Sequence, residues 1–311
     1  MKKCIIFAVA AMAFAACTNE QEEAINDSQI AARISAGVST RAINDEWEAD
    51  EIGVMVTGGN AAMGIYQNVK YVTDATGTGP ATFKPNNAID QIIFKGSDEA
   101  TFAAYGPYKY SENYYELPNS NGIISNNTSA QQIRNAQKVY DYIYASGVKG
   151  SVNSPDVSFK FKHVMARLVI NVKASTESGI TTQDLYDADY FLSGLIHSGT
   201  FNVATGEAKA DENTQVTDDW DLKSYSMEEK GTDYITFTAI LFPQTLSSPL
   251  AFKMQGGGGI YPATFKPELK TGESFTINIT VKKGELAMSG NTIDVWTVNV
   301  NSGQDVDAAK Q

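Results

Sequence analysis

Apolar and polar residues alternate along much of this 311-residue chain, and the first clear alternation lies near its N-terminus. From residue 30 to residue 38, small or polar residues separate five apolar ones: Ile30, Ala32, Ile34, Ala36 and Val38. A period of two is typical of a β-strand with one buried face. The pattern therefore predicts a strand that pairs within a sheet and turns these five side chains inward.

The same alternation recurs between turn-forming residues through the rest of the chain. It predicts further strands at residues 51–57, 91–94, 100–105, 156–174, 235–241, 251–255 and 274–282. The longest of these changes phase between His163 and Met165, which indicates a bulge or a corner. Only residues 129–135 and 181–186 are helical candidates, and the tetraglycine of residues 256–259 reads as a hairpin end. The chain is therefore predicted to be all-β, built from sandwiches of antiparallel sheets.

A break in the apolar pattern falls at residues 149–155, which read Lys-Gly-Ser-Val-Asn-Ser-Pro. Glycine, serine, asparagine and proline are the residues that punctuate regular structure. We place a domain boundary here. It gives an N-terminal domain of residues 42–152 and a C-terminal domain of residues 153–311.

The extreme N-terminus has the layout of an export signal. Lys2 and Lys3 precede an apolar run that ends at Cys17, and the run is too short to span a bilayer as a mature helix. Small residues directly before the cysteine favour a bacterial lipoprotein signal, residues 1–16, with Cys17 becoming the acylated first residue that carries palmitate. The alternative is ordinary signal cleavage near Ala16, which would leave Cys17 as a free thiol.

Directly after the alternating segment comes the sequence Ser39-Thr40-Arg41-Ala42. An arginine before a small residue in a polar stretch suits a trypsin-like, arginine-specific protease. Cleavage between Arg41 and Ala42 would remove residues 17–41 as a propeptide, and the predicted strand with it. The strand of residues 30–38 is therefore predicted to be removable.

Charge and cysteine content exclude some classes of function. The formal charge is −12 at pH 7, and no basic cluster offsets it, so nucleic-acid binding is not expected. Cys4 lies inside the predicted signal, which leaves Cys17 as the only mature cysteine and allows no intramolecular disulfide. Glu20, Glu22 and Glu23 follow Cys17 and indicate a solvated tether that favours display at the outer surface.

Residues with catalytic potential do not form a recognisable motif. The only histidines, His163 and His197, lack the spacing of a metal site, and the sequence contains neither a nucleophile elbow nor a phosphate-binding glycine loop. The best pair of carboxylates lies in the cluster Asp218-Asp219-Trp220-Asp221. A polar loop pinned by a partly buried tryptophan is the more common meaning of such a cluster. We predict no enzymatic activity, no metal and no cofactor.

Five tyrosines are concentrated in one part of the chain: Tyr105, Tyr108, Tyr110, Tyr114 and Tyr115. Aromatic faces stack on sugars and on partner proteins, so these residues could form a ligand platform. Strand and turn aromatics around Pro107 would account for the same pattern. The platform would make the chain a monomeric glycan-binding lipoprotein at the cell surface.

Taken in order, several segments resemble the fimbrillin-like lipoproteins of Bacteroides and its relatives, the subunits of Mfa/Fim type pili. They are the lipoprotein start at Cys17, Trp47, Trp296 and residues 39–42, 50–54, 102–108, 140–146, 159–168, 242–244 and 269–275. The resemblance implies two transthyretin-like β-sandwich domains with Greek-key type antiparallel sheets. It implies export to the cell outer membrane, where lipid anchors the chain until a protease cuts at the position of Arg41. It also implies assembly into a fimbria that supports adhesion.

The resemblance implies further that loss of the N-terminal strand opens a groove, which a strand from another fimbrial subunit fills. A sheet that lacks one strand exposes unpaired backbone groups and an apolar trough, and a donated strand restores both. After Trp296 only Val298 and Val300 alternate, although Ile293 and Val295 could lengthen a C-terminal donor strand. This leaves stalk, tip and anchor positions open, and the receptor would be a host protein or a glycan.

Overall fold

The computed structural model describes residues 30–37, 47–59, 66–109, 119, 121–130, 134–214, 216, 218–283 and 285–295. Within these ranges, no helix has the length and apolar composition needed to cross a membrane. Several residues that the sequence singles out lie outside the described ranges: Cys17, Val38, Arg41, Ala42, Tyr110, Tyr114, Tyr115 and Trp296.

Strands dominate the fold. In the first half they are β1 Arg33–Gly37, β2 Trp47–Glu48, β3 Glu51–Gly59, β4 Gln67–Val72, β5 Thr76–Gly77, β6 Ala81–Pro85, β7 Ala100–Gly106, β8 Ile123–Asn127, β9 Ile143–Gly150, β10 Asp156–Lys160 and β11 Lys162–His163. In the second half they are β12 Ala166–Ala174, β13 Asp189–Ser193, β14 Ser198–Asn202, β15 Glu207–Ala210, β16 Trp220–Asp221, β17 Met227–Lys230, β18 Tyr234–Leu241, β19 Leu250–Gly256, β20 Gly259–Phe265, β21 Glu273–Lys282 and β22 Glu285–Val295. The helices are short: α1 Arg134–Gln137, α2 Thr182–Asp187 and α3 Leu222–Tyr225. The prediction of an all-β chain is confirmed.

The strands of the first half form an eight-stranded sheet in the order β10-β1-β6-β4-β3-β7-β9-β11. Those of the second half form a five-stranded sheet, β17-β18-β12-β21-β22, and a four-stranded sheet, β16-β13-β19-β20. A three-stranded sheet, β15-β14-β8, contains strands from both halves, and β2 pairs with β5. Most neighbours are antiparallel, as predicted, but β1 runs parallel to β10 and β12 runs parallel to β21.

Within the described part of the chain, three hydrophobic clusters hold these sheets together. The N-terminal core takes its side chains mainly from β1, β3, β4, β6, β7, β9 and β10. The C-terminal core lies between β12, β18 and β21 on one side and β13 and β19 on the other. A middle core joins β8, β14 and β15 to Met55, Ala103 and Tyr105. Strands β3 and β7 therefore bury side chains from both of their faces.

The long strand predicted at residues 156–174 is wrong as a single element, because the chain changes core within it. Val157 and Phe159 belong to the N-terminal core, Met165 to the middle core, and Leu168 to the C-terminal core. The chain leaves the eight-stranded sheet at His163 and enters the five-stranded sheet at Ala166. The predicted corner falls at this crossing, whereas the predicted boundary at residue 153 precedes the last strands of the N-terminal core.

Local signals set the smaller elements. Helix α2 begins after Thr181. The Thr181 hydroxyl accepts from the backbone N–H of Asp184, and the Asp184 carboxylate accepts from the backbone N–H of Thr181, which together form a capping box. The glycine run forms the predicted turn of the β19–β20 hairpin, with positive φ at Gly257 and Gly258. The strand predicted at residues 91–94 is wrong: only Ile93 forms a bridge, to Ala31.

Candidate functional site

Strand β1 lies inside the eight-stranded sheet rather than at its edge. It runs parallel to β10, with Ile34 in register with Val157, and antiparallel to β6, with Ile34 in register with Phe83. The pairing covers five residues on the β10 side and three on the β6 side. Removing β1 would therefore divide this sheet and leave the facing edges of β6 and β10 without a partner.

The inward row of β1, together with Ala32 just before the strand, is packed into the N-terminal core. Ala32, Ile34 and Ala36 are 6%, 1% and 1% exposed, as the period of two predicted. Ile30, the first predicted inward residue, is 38% exposed and lies at the rim. Ile34 is thus the one large side chain of β1 at full depth, between two alanines.

A second contact holds the start of β1. The backbone N–H of Ala32 donates to the Ile92 carbonyl at 2.9 Å, and the N–H of Phe94 donates to the Ile30 carbonyl at 2.9 Å. The Ile92 N–H donates in turn to the Tyr71 hydroxyl at 3.1 Å, and burial raises the pKa of Tyr71 to about 12. Residues 91–94, predicted as a separate strand, therefore hold the residues just before β1 in place by backbone hydrogen bonds.

The outward row of β1 carries an ion pair. The Arg33 Nε and Nη2 atoms donate to the two carboxylate oxygens of Asp156 at 2.5 and 2.7 Å. This hydrogen bonding raises the pKa of Arg33 and lowers the pKa of Asp156, although both side chains are well exposed. Sequence reasoning missed this partner because the two residues are 123 positions apart and only the strand order brings them together.

The carboxylate cluster at residues 218–221 has structural roles. Asp221 caps α3 by accepting from the backbone N–H groups of Lys223 and Ser224, and Asp219 is paired with Lys253 at 3.0 Å. Trp220 is 3% exposed, and its indole N–H donates to the Ser129 carbonyl at 2.8 Å. The arrangement fits the polar loop that the sequence offered as the alternative to a catalytic pair, with a tryptophan more deeply buried than expected.

The two histidines are also buried in structural positions. His163 Nδ1 lies 2.8 Å from a carboxylate oxygen of Asp141, and both side chains are buried. His197 Nδ1 lies 3.1 Å from the Thr128 hydroxyl, and its ring packs against Trp220 at 4.6 Å. Burial lowers the pKa of His197 to about 4. Among the described residues, no three side chains of metal-binding type cluster.

Two of the five tyrosines that one interpretation of the sequence grouped as a ligand platform lie within the described ranges, Tyr105 and Tyr108. Tyr105 is fully buried, and its hydroxyl donates to Asn68 Oδ1 at 2.6 Å in the middle of the molecule. Tyr108 is half-buried, with Lys70 Nζ 5.5 Å from its ring. Of the two members within the described ranges, Tyr105 is therefore a core residue and is not available to a ligand.

The fimbrillin-like family matches residues 40–296, which is most of the chain. The chain belongs to the fimbrillin-like family. The match begins at Thr40, so strand β1 lies before the matched region and Arg41 lies at its start.

Solved structures share this fold. A candidate cell adhesion protein from Bacteroides ovatus is 25% identical, with a TM-score of 0.71, over 87% of this chain and 99% of that one. A candidate cell adhesion protein from Bacteroides uniformis is 23% identical, with a TM-score of 0.68, over 88% of this chain and 99% of that one. Among proteins with curated functions, none matches this sequence.

Proposed function

We propose that this fimbrillin-like chain is a subunit of a surface fimbria that assembles by strand exchange and supports adhesion. In this proposal Cys17 carries the lipid that anchors the chain in the outer membrane, and an arginine-specific protease cuts after Arg41. The observation that supports it most directly is the place of β1 between β6 and β10. A strand that completes a sheet and precedes an arginine can be withdrawn once the chain is cut.

The packing of β1 fits a strand that is held mainly by its covalent link. Burial of Ile34 and of the methyl groups of Ala32 and Ala36 contributes about 3 to 5 kcal/mol. Holding a separate peptide in place costs about 4 to 15 kcal/mol in lost translational and rotational freedom. Cleavage therefore turns a stable intramolecular strand into a weakly bound peptide.

The groove left by β1 would be unfavourable in water until it is filled again. Phe83, Val157 and Phe159, which β1 now helps to bury, would border an open trough. The backbone groups of β6 and β10 that now pair with β1 would lose their partners. A strand donated by another subunit restores both, and a longer strand than β1 would be held more firmly.

The C-terminal strand bears on the position of the subunit in the fibre. Ile293 and Val295, which could have lengthened a donor strand, belong to β22 and are in register with Phe275 and Glu273 of β21. They already complete the five-stranded sheet of their own chain. This supports a subunit that accepts a strand more readily than it donates one, such as a tip or accessory subunit.

The cleavage step is tested by replacing Arg41. We expect Arg41→Ala to remain a lipid-anchored monomer at the cell surface, with an acylated Cys17 as its N-terminus, because β1 stays tethered in its groove. The neighbouring Thr40→Ala variant, which keeps the arginine, should be processed to Ala42 and should enter fimbriae. N-terminal analysis of surface protein and electron microscopy distinguish the two. Filaments that contain Arg41→Ala would show that release of β1 is not required.

A further inference from the structure

The solvent-facing rim of the β1 groove is charged with opposite sign at its two ends. On β10, the side chains of Asp156, Ser158 and Lys160 all point to solvent, next to positions 33, 35 and 37 of β1. An acid therefore stands beside position 33, a hydroxyl beside position 35 and a base beside position 37. A strand that takes the place of β1 in the same direction passes these three side chains in this order.

At the first of these positions β1 already complements the rim. Arg33 forms its two-pronged ion pair with Asp156. If the antiparallel register with β6 is continued by one residue, Lys84 lies on the other side of Arg33, but its ammonium is paired with Asp74. The carboxylate of Asp156 is thus the charge that remains for a cation at position 33.

At the other end β1 leaves the rim unmatched. Gly37 is in register with Lys160, and within the described part of the chain no acidic side chain is paired with Lys160. A Cβ atom built on Gly37 would meet nothing within 4 Å, so a side chain has room there. An acidic residue at this position could extend beside Lys160 without displacing a neighbour.

We propose that the groove selects its strand by an ordered charge pattern: a cation at position 33 and an anion four residues later, at position 37. At the inward positions, the pattern also requires a small residue at 32, a branched apolar residue at 34 and a small residue at 36. The proposal rests on the proposed strand exchange and specifies the partner that the exchange would use. It also fixes the direction of the strand, because an antiparallel approach to β10 would set like charges against each other.

The occupant that this pattern indicates is a segment of a different polypeptide. Between Lys283 and Lys310 the sequence contains no lysine and no arginine. Residues 284–309 of a second copy of this chain therefore cannot supply the cation of the pattern. A fimbrial subunit whose free strand carries a basic and an acidic residue four positions apart fits the groove.

Two synthetic peptides of equal composition test the order of the charges. Both cover residues 30–40; one carries Gly37→Glu, and the other carries Arg33→Glu together with Gly37→Arg. The acceptor is the full chain with an engineered cleavage site for a specific protease between residues 38 and 46. Release of β1 then does not depend on Arg41. Fluorescence anisotropy of labelled peptides measures their binding to the cleaved chain.

At low salt we expect the peptide with the cation first to bind about tenfold more tightly than the peptide with the anion first. One exposed ion pair changes an equilibrium by a factor of about 1.5 to 5, and the two peptides differ at two such pairs. At 1 M salt the difference should shrink, because screening acts over about 3 Å there. In an acceptor that carries Asp156→Lys and Lys160→Glu, the preference should reverse. Circular dichroism before cleavage shows whether that acceptor folds like the parent chain.

The outcomes separate this proposal from the exchange on which it rests. If the unmodified peptide of residues 30–40 binds the cleaved chain but the two charged peptides bind equally, the charge pattern is refuted while the groove remains. If none of the three peptides binds the cleaved chain, strand exchange itself is refuted. Tight binding of a peptide from residues 292–311 would overturn the conclusion that the partner is a different polypeptide.

Discussion

Ile34 is the largest side chain that β1 buries, and shortening it measures how strongly β1 is held. The side chain is 1% exposed and lies between Val157 and Phe83 of the two neighbouring strands. Replacing a buried isoleucine with alanine costs about 2 to 5 kcal/mol, while isoleucine to valine costs about 0.5 to 1.5 kcal/mol. Because the flanking inward residues are alanines, few side chains can move in to fill the cavity, so we expect about 3 kcal/mol for Ile34→Ala.

Two measurements follow from this estimate. In the intact chain, urea unfolding should show the loss in the free energy of unfolding of the N-terminal core, with Ile34→Val intermediate. In the chain cut between residues 38 and 46, labelled β1 should dissociate about a hundredfold faster when it carries Ile34→Ala, if the loss of about 3 kcal/mol falls mainly on the dissociation rate. The matched control is Ser35→Ala, a half-buried position on the outward row, which should change stability by less than about 0.5 kcal/mol.

A clear negative result is available. If Ile34→Ala and Ser35→Ala have the same small effect on stability and on dissociation, the inward row of β1 does not contribute to the core. Both the removable strand and the groove would then lose their physical basis.

Two further predictions concern parts of the chain away from β1. Burial holds the pKa of His197 near 4, below its ordinary value near 6.5. As the pH falls, the unfolded chain therefore binds a proton at His197 before the folded chain does. The contribution of His197 to the free energy of unfolding is complete above about pH 7 and decreases by about 3 kcal/mol towards pH 4. Urea unfolding across this range should show the slope, and His197→Asn should reduce it; an unchanged slope would contradict the assignment. Gly199→Ala should lower the free energy of unfolding by more than about 2 kcal/mol, because the new Cβ would lie 2.4 Å from the Phe242 ring and 2.5 Å from the Lys209 carbonyl oxygen. The control is Gly79→Ala, whose Cβ would meet nothing within 4 Å and which should be nearly neutral. Equal thermal midpoints for these two variants would contradict the packing of the middle core.

Sequence patterning worked best where the signal is local. The inward row of β1 follows from alternation alone, and the start of α2 follows from Thr181 and Asp184. It failed at residues 91–94, whose backbone groups bond to Ile30 and Ala32 instead of forming a strand of their own. It failed again at residues 156–174, because alternation persists while the inward side changes from one core to the next.

The sequence by itself predicted a strand with one apolar face at residues 30–38, within which β1 lies, and it places Arg41 shortly after that strand; a signal that ends at Cys17 stays a prediction. These features depend on neighbours a few positions apart, which the backbone geometry of a strand relates directly. Only the tertiary structure decided that β1 lies between β6 and β10, with Asp156 and Lys160 on its rim. Pairing partners 45 to 123 residues away are chosen by how the whole set of apolar faces can be buried together, and no local pattern contains that information.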